Sequence, residues 1–186
     1  MTFRAMTLLA LLSACGFANP AAPEPATQPA TSRPVAAVWY EISYPRPGET
    51  LTRRLITGVW SDGTVVTSGD REHGGPPYTA RKVDAASVKK LADDLDKMKF
   101  FSDEELNRHP NRYPPDASYT AVAAAVGDKR QRLALWRAPT TQPADADHFM
   151  KQFIAARTLI NQLGDEKGEP VEKIDESVFS LGRKPR

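Results

Sequence analysis

Cysteine is almost absent from this chain, and no long hydrophobic run is present. The 186 residues contain one cysteine, Cys15, which excludes a disulfide framework and a zinc site built from several thiolates. No window after the first 20 residues approaches the about 18 apolar residues that a membrane-spanning helix needs. The sequence therefore predicts a compact domain whose stability comes from its core rather than from cross-links or metal.

The chain also lacks an excess of charge of either sign. It has 25 Lys and Arg against 23 Asp and Glu, a formal net charge of +2. A protein that binds nucleic acid through phosphates usually carries a strong basic patch. We therefore expect no nucleic-acid partner.

Recognisable catalytic motifs are missing as well. The three histidines, His73, His109 and His148, lie far apart in the sequence and show no short ligand spacing, so we predict no metal site. Neither a Gly-x-Ser-x-Gly elbow nor a glycine-rich phosphate loop occurs. We expect no cofactor and no enzymatic activity, although a hydrolase site of another kind stays open if folding joins His73 or His109 to a carboxylate and a serine.

The first positive signal is a short apolar run that ends at the single cysteine. Arg4 precedes nine uncharged residues, 6–14, which as a helix would rise about 14 Å against a hydrocarbon core of about 30 Å. The run is typical of an export signal and not of a spanning helix.

The end of this run resembles the lipobox of bacterial lipoproteins, which has an aliphatic residue, two small residues and then cysteine. Leu12-Ser13-Ala14-Cys15 matches at each position. The resemblance implies cleavage before Cys15, lipidation of its thiol with fatty acids such as palmitate, and a membrane anchor. With Gly16 rather than Asp as the second mature residue, it also implies the cell envelope and the outer membrane, facing the periplasm.

The composition divides the chain into four parts. Residues 1–14 are expected to be a signal peptide. Residues 15–34 are expected to be the lipidated cysteine and a Pro/Ala-rich, extended tether, since 16–34 contain five prolines. Residues 35–164 are expected to form one domain, and 165–186 a charged C-terminal tail.

Hydrophobic periodicity predicts an α+β domain with the order βββ(β)αββα. Alternating residues in 35–44, 51–60 and 64–68 predict strands, with a further short strand at 78–83. Asp84 is a good N-cap for a helix whose apolar stripe is Val88, Leu91, Leu95 and Met98. A hairpin over 118–137 and a helix near 145–163 follow. We expect an antiparallel sheet of five to six strands with both helices on one face.

The region 83–135 resembles the emfourin type of small bacterial inhibitor. Such proteins have a helix that ends in paired aromatics, a proline-rich loop, an Asp before a Tyr-bearing strand, and a hairpin. The matching residues here are Phe100-Phe101, Pro114-Pro115, Asp116, Tyr119 and Gly127-Asp128. The resemblance implies inhibition of extracytoplasmic metallopeptidases.

Two loops, 69–78 and 108–116, are rich in Arg, His, Tyr and Pro, which suit a binding surface. Exposed tryptophans beside arginines on the sheet would extend it. The predicted surface is His73, Tyr78, His109, Arg112, Tyr113, Trp39 and Trp136. The leading hypothesis is a lipid-anchored, non-enzymatic module that binds a protein, a peptide or an envelope polymer.

The lipobox prediction can be checked on the native protein. We expect mass spectrometry of its N-terminal peptide to begin at Cys15 and to carry the added mass of acyl chains on that residue. An unmodified Cys15, or a mature chain that begins after it, would contradict the anchor.

Overall fold

The computed structural model describes residues 33–42, 52–114, 117–171 and 174, and shows an α+β fold with one sheet and three helices. The strands are β1 (Ala36–Ile42), β2 (Thr52–Val59), β3 (Thr64–Ser68), β4 (Tyr78–Lys82), β5 (Asn111–Arg112), β6 (Tyr119–Val126), β7 (Lys129–Trp136) and β8 (Glu169–Val171). The helices are α1 (Ala85–Lys97), α2 (Glu104–Arg108) and α3 (His148–Gln162).

The sheet is wider than predicted and is mixed. Its order is β5-β7-β6-β1-β2-β3-β4-β8. All neighbours are antiparallel except β5 and β7, which are parallel. The prediction of five to six antiparallel strands is corrected here because the two edge strands, β5 and β8, have two and three residues. Strands this short carry no detectable alternation.

The two longer helices begin at or close to their predicted starts. Helix α1 follows the predicted cap Asp84, and α3 follows Asp147, two residues after the predicted start near 145. The Asp84 carboxylate accepts from the Ser87 backbone N–H at 2.6 Å, and Asp147 accepts from Met150 N–H at 2.8 Å. These bonds satisfy donors that the first helical turn leaves free. The third helix, α2, has five residues, and Asp103 caps it.

The sheet is buried on both sides. The helix face packs against α1, α2 and α3 around residues such as Val38, Leu95 and Phe153. The opposite face buries a second cluster that includes Trp39 and Trp60. Alternation along β1 is confirmed, because Val38 lies on the helix face and Trp39 on the opposite face.

A bulge in β2 breaks the alternation expected there. Val38 pairs with Thr57 while the next residue, Trp39, pairs with Leu55, so Ile56 is the extra residue. As a result Leu55 lies on the opposite face and Ile56 on the helix face. Strict alternation over 51–60 would place Leu55 and Val59 on one face, and this expectation was wrong for Leu55.

The folded chain continues past the predicted boundary at residue 164. Strand β8 pairs with β4, and Ile174 is buried in the cluster on the opposite face. Within the region predicted as a charged tail, residues 169–171 therefore form an edge strand and Ile174 packs in the core. The predicted signal, lipidated cysteine and nearly all of the tether, 1–32, and the remainder 175–186, lie outside the described residues.

The loop over 69–77 folds back onto β2. Gly75 N–H donates to the Leu55 carbonyl at 3.0 Å, and the Ser68 hydroxyl donates to the Gly75 carbonyl. Gly74 has a φ of +67°, and a Cβ there would lie 2.5 Å from the Leu55 carbonyl oxygen. Only glycine satisfies both requirements, so the Gly-Gly pair fixes this loop against the sheet.

Gly74→Ala tests that fixation. We expect it to lower the free energy of unfolding by about 3 kcal/mol, the sum of left-handed strain and overlap with the β2 backbone. Urea denaturation measures the loss. Gly127→Ala is the matched control, because Gly127 also has positive φ (+61°) but open space around it, and should lose only about 1 to 2 kcal/mol. Equal losses would show that the close approach to β2 does not matter.

Candidate functional site

A cleft of about 350 Å³ lies at one end of the sheet, between the 69–77 loop and α3. The lining side chains come from the end of β1, the start of β6, the end of β7, the loop and the helix. Those that matter most below are Tyr40, Thr120, Trp136, Arg137, His73 and Arg157. Tyr40 and Thr120 are direct cross-strand partners, so sheet register sets their spacing.

Three aromatic rings, those of Tyr40, His73 and Trp136, contribute to a cleft wall that is otherwise mostly polar. The Tyr40 ring meets the His73 ring edge to face, with centroids 5.2 Å apart. Trp136 is 41% exposed and is the large hydrophobic side chain that stands out to solvent among the described residues. The Arg137 guanidinium lies 4.4 Å from the Trp136 ring centroid, a cation–π contact. An exposed tryptophan at the mouth of a cleft is typical of a contact surface.

A buried arginine, Arg157 of α3, lies on the other side of the cleft. It is 5% exposed, and its guanidinium donates to the carbonyls of Pro139 and Arg71 at 3.3 and 3.4 Å. It forms no ion pair with a carboxylate of the described residues. Burial lowers the pKa of Arg157, and the Glu72 carboxylate partly opposes that shift. Since a buried charge usually has a close counter-charge, Arg157 is an unusual feature.

The cleft also brings together a serine, a histidine and a carboxylate. His73 Nδ1 lies 3.6 Å from Asp70 Oδ2, and Nε2 lies 4.0 Å from Glu72 Oε1. Ser118 lines the same cleft, yet the hydrogen bonds of the described residues include none between Ser118 and His73. Nucleophile activation by a base needs that bond, so the residue types are present without the connected arrangement.

The loop carboxylate Asp70 holds His73 in place. Its Oδ1 accepts the backbone N–H groups of His73 at 2.8 Å and Glu72 at 2.9 Å. These bonds, the one from His73 first, hold the pKa of Asp70 below its usual range. Asp70 therefore stays ionised and fixes the loop. This structural role is enough to explain its lowered pKa.

A second polar group is buried on the opposite face, and we call it the Glu41 cluster: Glu41, Trp39, Arg53, Tyr119 and Arg132. Glu41 Oε2 accepts from Trp39 Nε1 at 3.1 Å and Arg53 Nε at 3.0 Å, and lies 3.6 Å from Arg132 Nη2. Arg53 and Tyr119 are its cross-strand partners on either side. The register of three strands thus assembles this cluster.

Protonation in the Glu41 cluster is set by competing effects. Burial would raise the pKa of Glu41, but hydrogen bonds from Tyr119, Trp39 and Arg53, with the Arg53 charge, outweigh it and lower the pKa. Burial, followed by the hydrogen bond to Glu41, raises the pKa of the Tyr119 phenol. The cluster therefore holds an ionised carboxylate among donors, which stabilises the sheet.

The structure brings two of the seven predicted surface residues into the cleft, His73 and Trp136. The predicted surface position of Trp39 and Tyr78 is corrected. They are 1% and 4% exposed and belong to the core of the opposite face. Tyr113 is partly buried and stacks on Tyr119, with centroids 4.0 Å apart. The prediction placed these aromatic side chains at the surface, whereas the sheet buries side chains on both of its faces.

The two remaining predicted residues lie elsewhere. Arg112 forms ion pairs with Asp147 and Glu105 and packs over the Phe149 ring at 4.4 Å, so its charge is already used within the fold. His109 is exposed at the end of α2 and does not line the cleft.

Arg157, Tyr40 and Thr120 were missed by the sequence prediction. A signal existed for Arg157, since it lies four residues after Phe153 and three before Ile160, both buried on the apolar stripe of α3. A charged residue at a core-facing position indicates a buried functional or structural charge. For the other two no local signal exists, because only tertiary folding brings the strand ends together.

A comparison with models of known protein families, with curated proteins and with solved structures finds no match to this chain. The lipoprotein and emfourin resemblances therefore stay predictions. Of the residues that carry the latter, Pro115 and Asp116 lie outside the described residues, and Tyr119 is buried. Among the described residues, no helix has the length and apolarity to cross a membrane, and no three acidic or histidine side chains converge as metal ligands.

The Glu41 cluster predicts a pH-dependent stability. Because the folded-state pKa of Glu41 is lowered, its contribution is complete above the unfolded value of about 4.3 and is lost as the pH falls through the folded value. At pH 7 we expect Glu41→Gln to lower the free energy of unfolding by about 2 kcal/mol or more. The difference between variant and wild type should shrink below about pH 4.

Urea denaturation at intervals of about one pH unit between about pH 3 and pH 7 measures this difference in the free energy of unfolding. Glu104→Gln is the control, since Glu104 is an exposed residue of α2 and its removal should change stability little at any pH. A Glu41→Gln loss that does not vary with pH would contradict an ionised Glu41 as the stabilising species.

Proposed function

We propose that this chain is a lipid-anchored protein of the cell envelope whose domain binds a peptide, a protein segment or an envelope polymer through the cleft at the end of the sheet. The cleft carries the proposal, because it pairs the exposed Trp136 with the buried Arg157. An exposed aromatic side chain gives contact area, and a fixed charged group gives orientation, which are two requirements of a ligand site.

The anchor part of the proposal depends on the motif that ends at Cys15 and the proline-rich segment after it. Strand β1 runs from Ala36 to Ile42, and Tyr40 at its far end lines the cleft. Tyr40 is four residue steps along the strand from Ala36, about 13 Å. A tether that enters the domain before Ala36 would therefore leave the cleft at the distal end of the sheet, open to partners.

Binding without chemical conversion is favoured over hydrolysis. The cleft has Ser118, His73 and Glu72, which is the observation in favour of a hydrolase. However, both ring nitrogens of His73 face carboxylates, and Ser118 is not hydrogen-bonded to them. If a purified preparation hydrolyses an ester or a peptide and Ser118→Ala abolishes that activity, the hydrolase is correct and the binding module is not.

The binding proposal is tested by capture from an envelope extract on the immobilised full chain. We expect at least one component to be retained by the wild type and lost on Trp136→Ala, because truncation removes the exposed aromatic contact of the cleft. Arg130→Ala is the control, since Arg130 is an exposed residue of the same strand, β7, at the end remote from the cleft.

The outcomes of the capture separate the alternatives. Retention that is equal on all three proteins, or absent from all three, would contradict a binding role for the cleft. If the retained component is a metallopeptidase whose activity falls on addition of the chain, the emfourin-type inhibitor is the better function. No effect on peptidase activity at high excess of the chain removes that alternative.

A further inference from the structure

We infer that the cleft binds the free carboxylate at the C-terminus of a peptide, and that Arg157 is the residue that holds it. This inference rests on the proposed binding function and names the chemical group that the site recognises.

The first argument is the unmet hydrogen-bonding capacity of Arg157. Its guanidinium is buried, yet its partners among the described residues are two backbone carbonyls at 3.3 and 3.4 Å. Both bonds are long for N–H···O geometry. A guanidinium has a fork of donors that matches the two oxygens of a carboxylate. The side chain lines the cleft, so a ligand carboxylate there would supply the hydrogen-bonded counter-charge that no carboxylate of the described residues provides.

The second argument is the charge of the lining. Arg157 and Arg137 are cationic and Glu72 is anionic, so the arginine and carboxylate charges of the lining sum to +1. One positive charge matches a monoanion such as a carboxylate. It does not match the charge of about −1.5 to −2 on a phosphate monoester near pH 7, and Glu72 would repel such a group further.

The third argument is the size and the position of the cleft. About 350 Å³ is near the lower end of the range for small-molecule sites, so it suits the last residues of a chain and not the middle of a polymer. Ser118 and Thr120 offer hydroxyls for a peptide backbone, while Tyr40 and Trp136 offer apolar walls for a side chain. These groups together fit a terminal peptide residue better than a free inorganic anion.

The experiment compares two matched peptide pools on the full chain in detergent. Both are N-acetylated tripeptides with the same random sequences, and one pool ends in a carboxylate while the other ends in an amide. Affinity selection read by mass spectrometry, followed by calorimetry on the best pair, measures the preference. We expect the free acid to bind about 10- to 100-fold more tightly, the effect of a charge-assisted bond.

A variant identifies the residue. Arg157→Lys keeps the charge but loses the planar fork, and we expect it to reduce the preference for the free acid about tenfold while thermal unfolding shows a folded protein. Arg130→Ala, outside the cleft, should keep the full preference. Should the lysine variant fail to fold, Thr120→Val replaces it and should weaken the free acid severalfold. The acid–amide comparison on the wild type needs no variant.

Three results would overturn the inference. They are equal binding of acid and amide, tighter binding of inorganic phosphate than of any free-acid peptide, and a preference that Arg157→Lys leaves unchanged in a folded protein. If no peptide binds while Trp136-dependent capture from envelope extract persists, the carboxylate inference fails and the proposed function stands. If the capture fails as well, both fail.

Discussion

The fold depends on a central strand that is buried on both sides. Strand β1 has a hydrogen-bonded neighbour on each edge, α3 against one face and the tryptophan-containing cluster against the other. A charge on such a strand cannot reach water, so Glu41 has to be neutralised inside the sheet. The registers of β2 and β6 do this by placing Arg53 and Tyr119 directly beside it. The same strand alignment therefore buries the apolar side chains of β1 and places hydrogen-bond donors beside the Glu41 carboxylate.

Local patterns in the sequence predicted most of the elements of this fold. The cap at Asp84 and the apolar stripes of α1 and α3 come from interactions within a few residues, and so they are visible in the sequence. Strand β8 and the bulge at Ile56 are different, because each depends on a partner strand that is distant in the sequence. Sequence periodicity does not contain that information.

The candidate site was predictable only in part, for the same reason. The loop that carries His73 and the exposed Trp136 stood out by composition, and both line the cleft. Trp39 and Tyr78 looked similar but are buried, because an aromatic residue on a strand suits a binding surface and a core equally well. Which of the two applies depends on what covers the sheet. Arg157 joins the site because α3 packs against β1 and β6.

The central position of β1 also has a mechanical consequence. Its hydrogen bonds to β2 and β6 run across the strand direction. If the chain is anchored at Cys15 as proposed, a force that draws the domain away from the membrane would enter it at the N-terminal end of β1. Such a load shears two rows of hydrogen bonds at once instead of peeling them open one by one. Rupture would then be governed by the unfolding rate of the whole sheet, so the domain would resist being dragged apart by a bound partner.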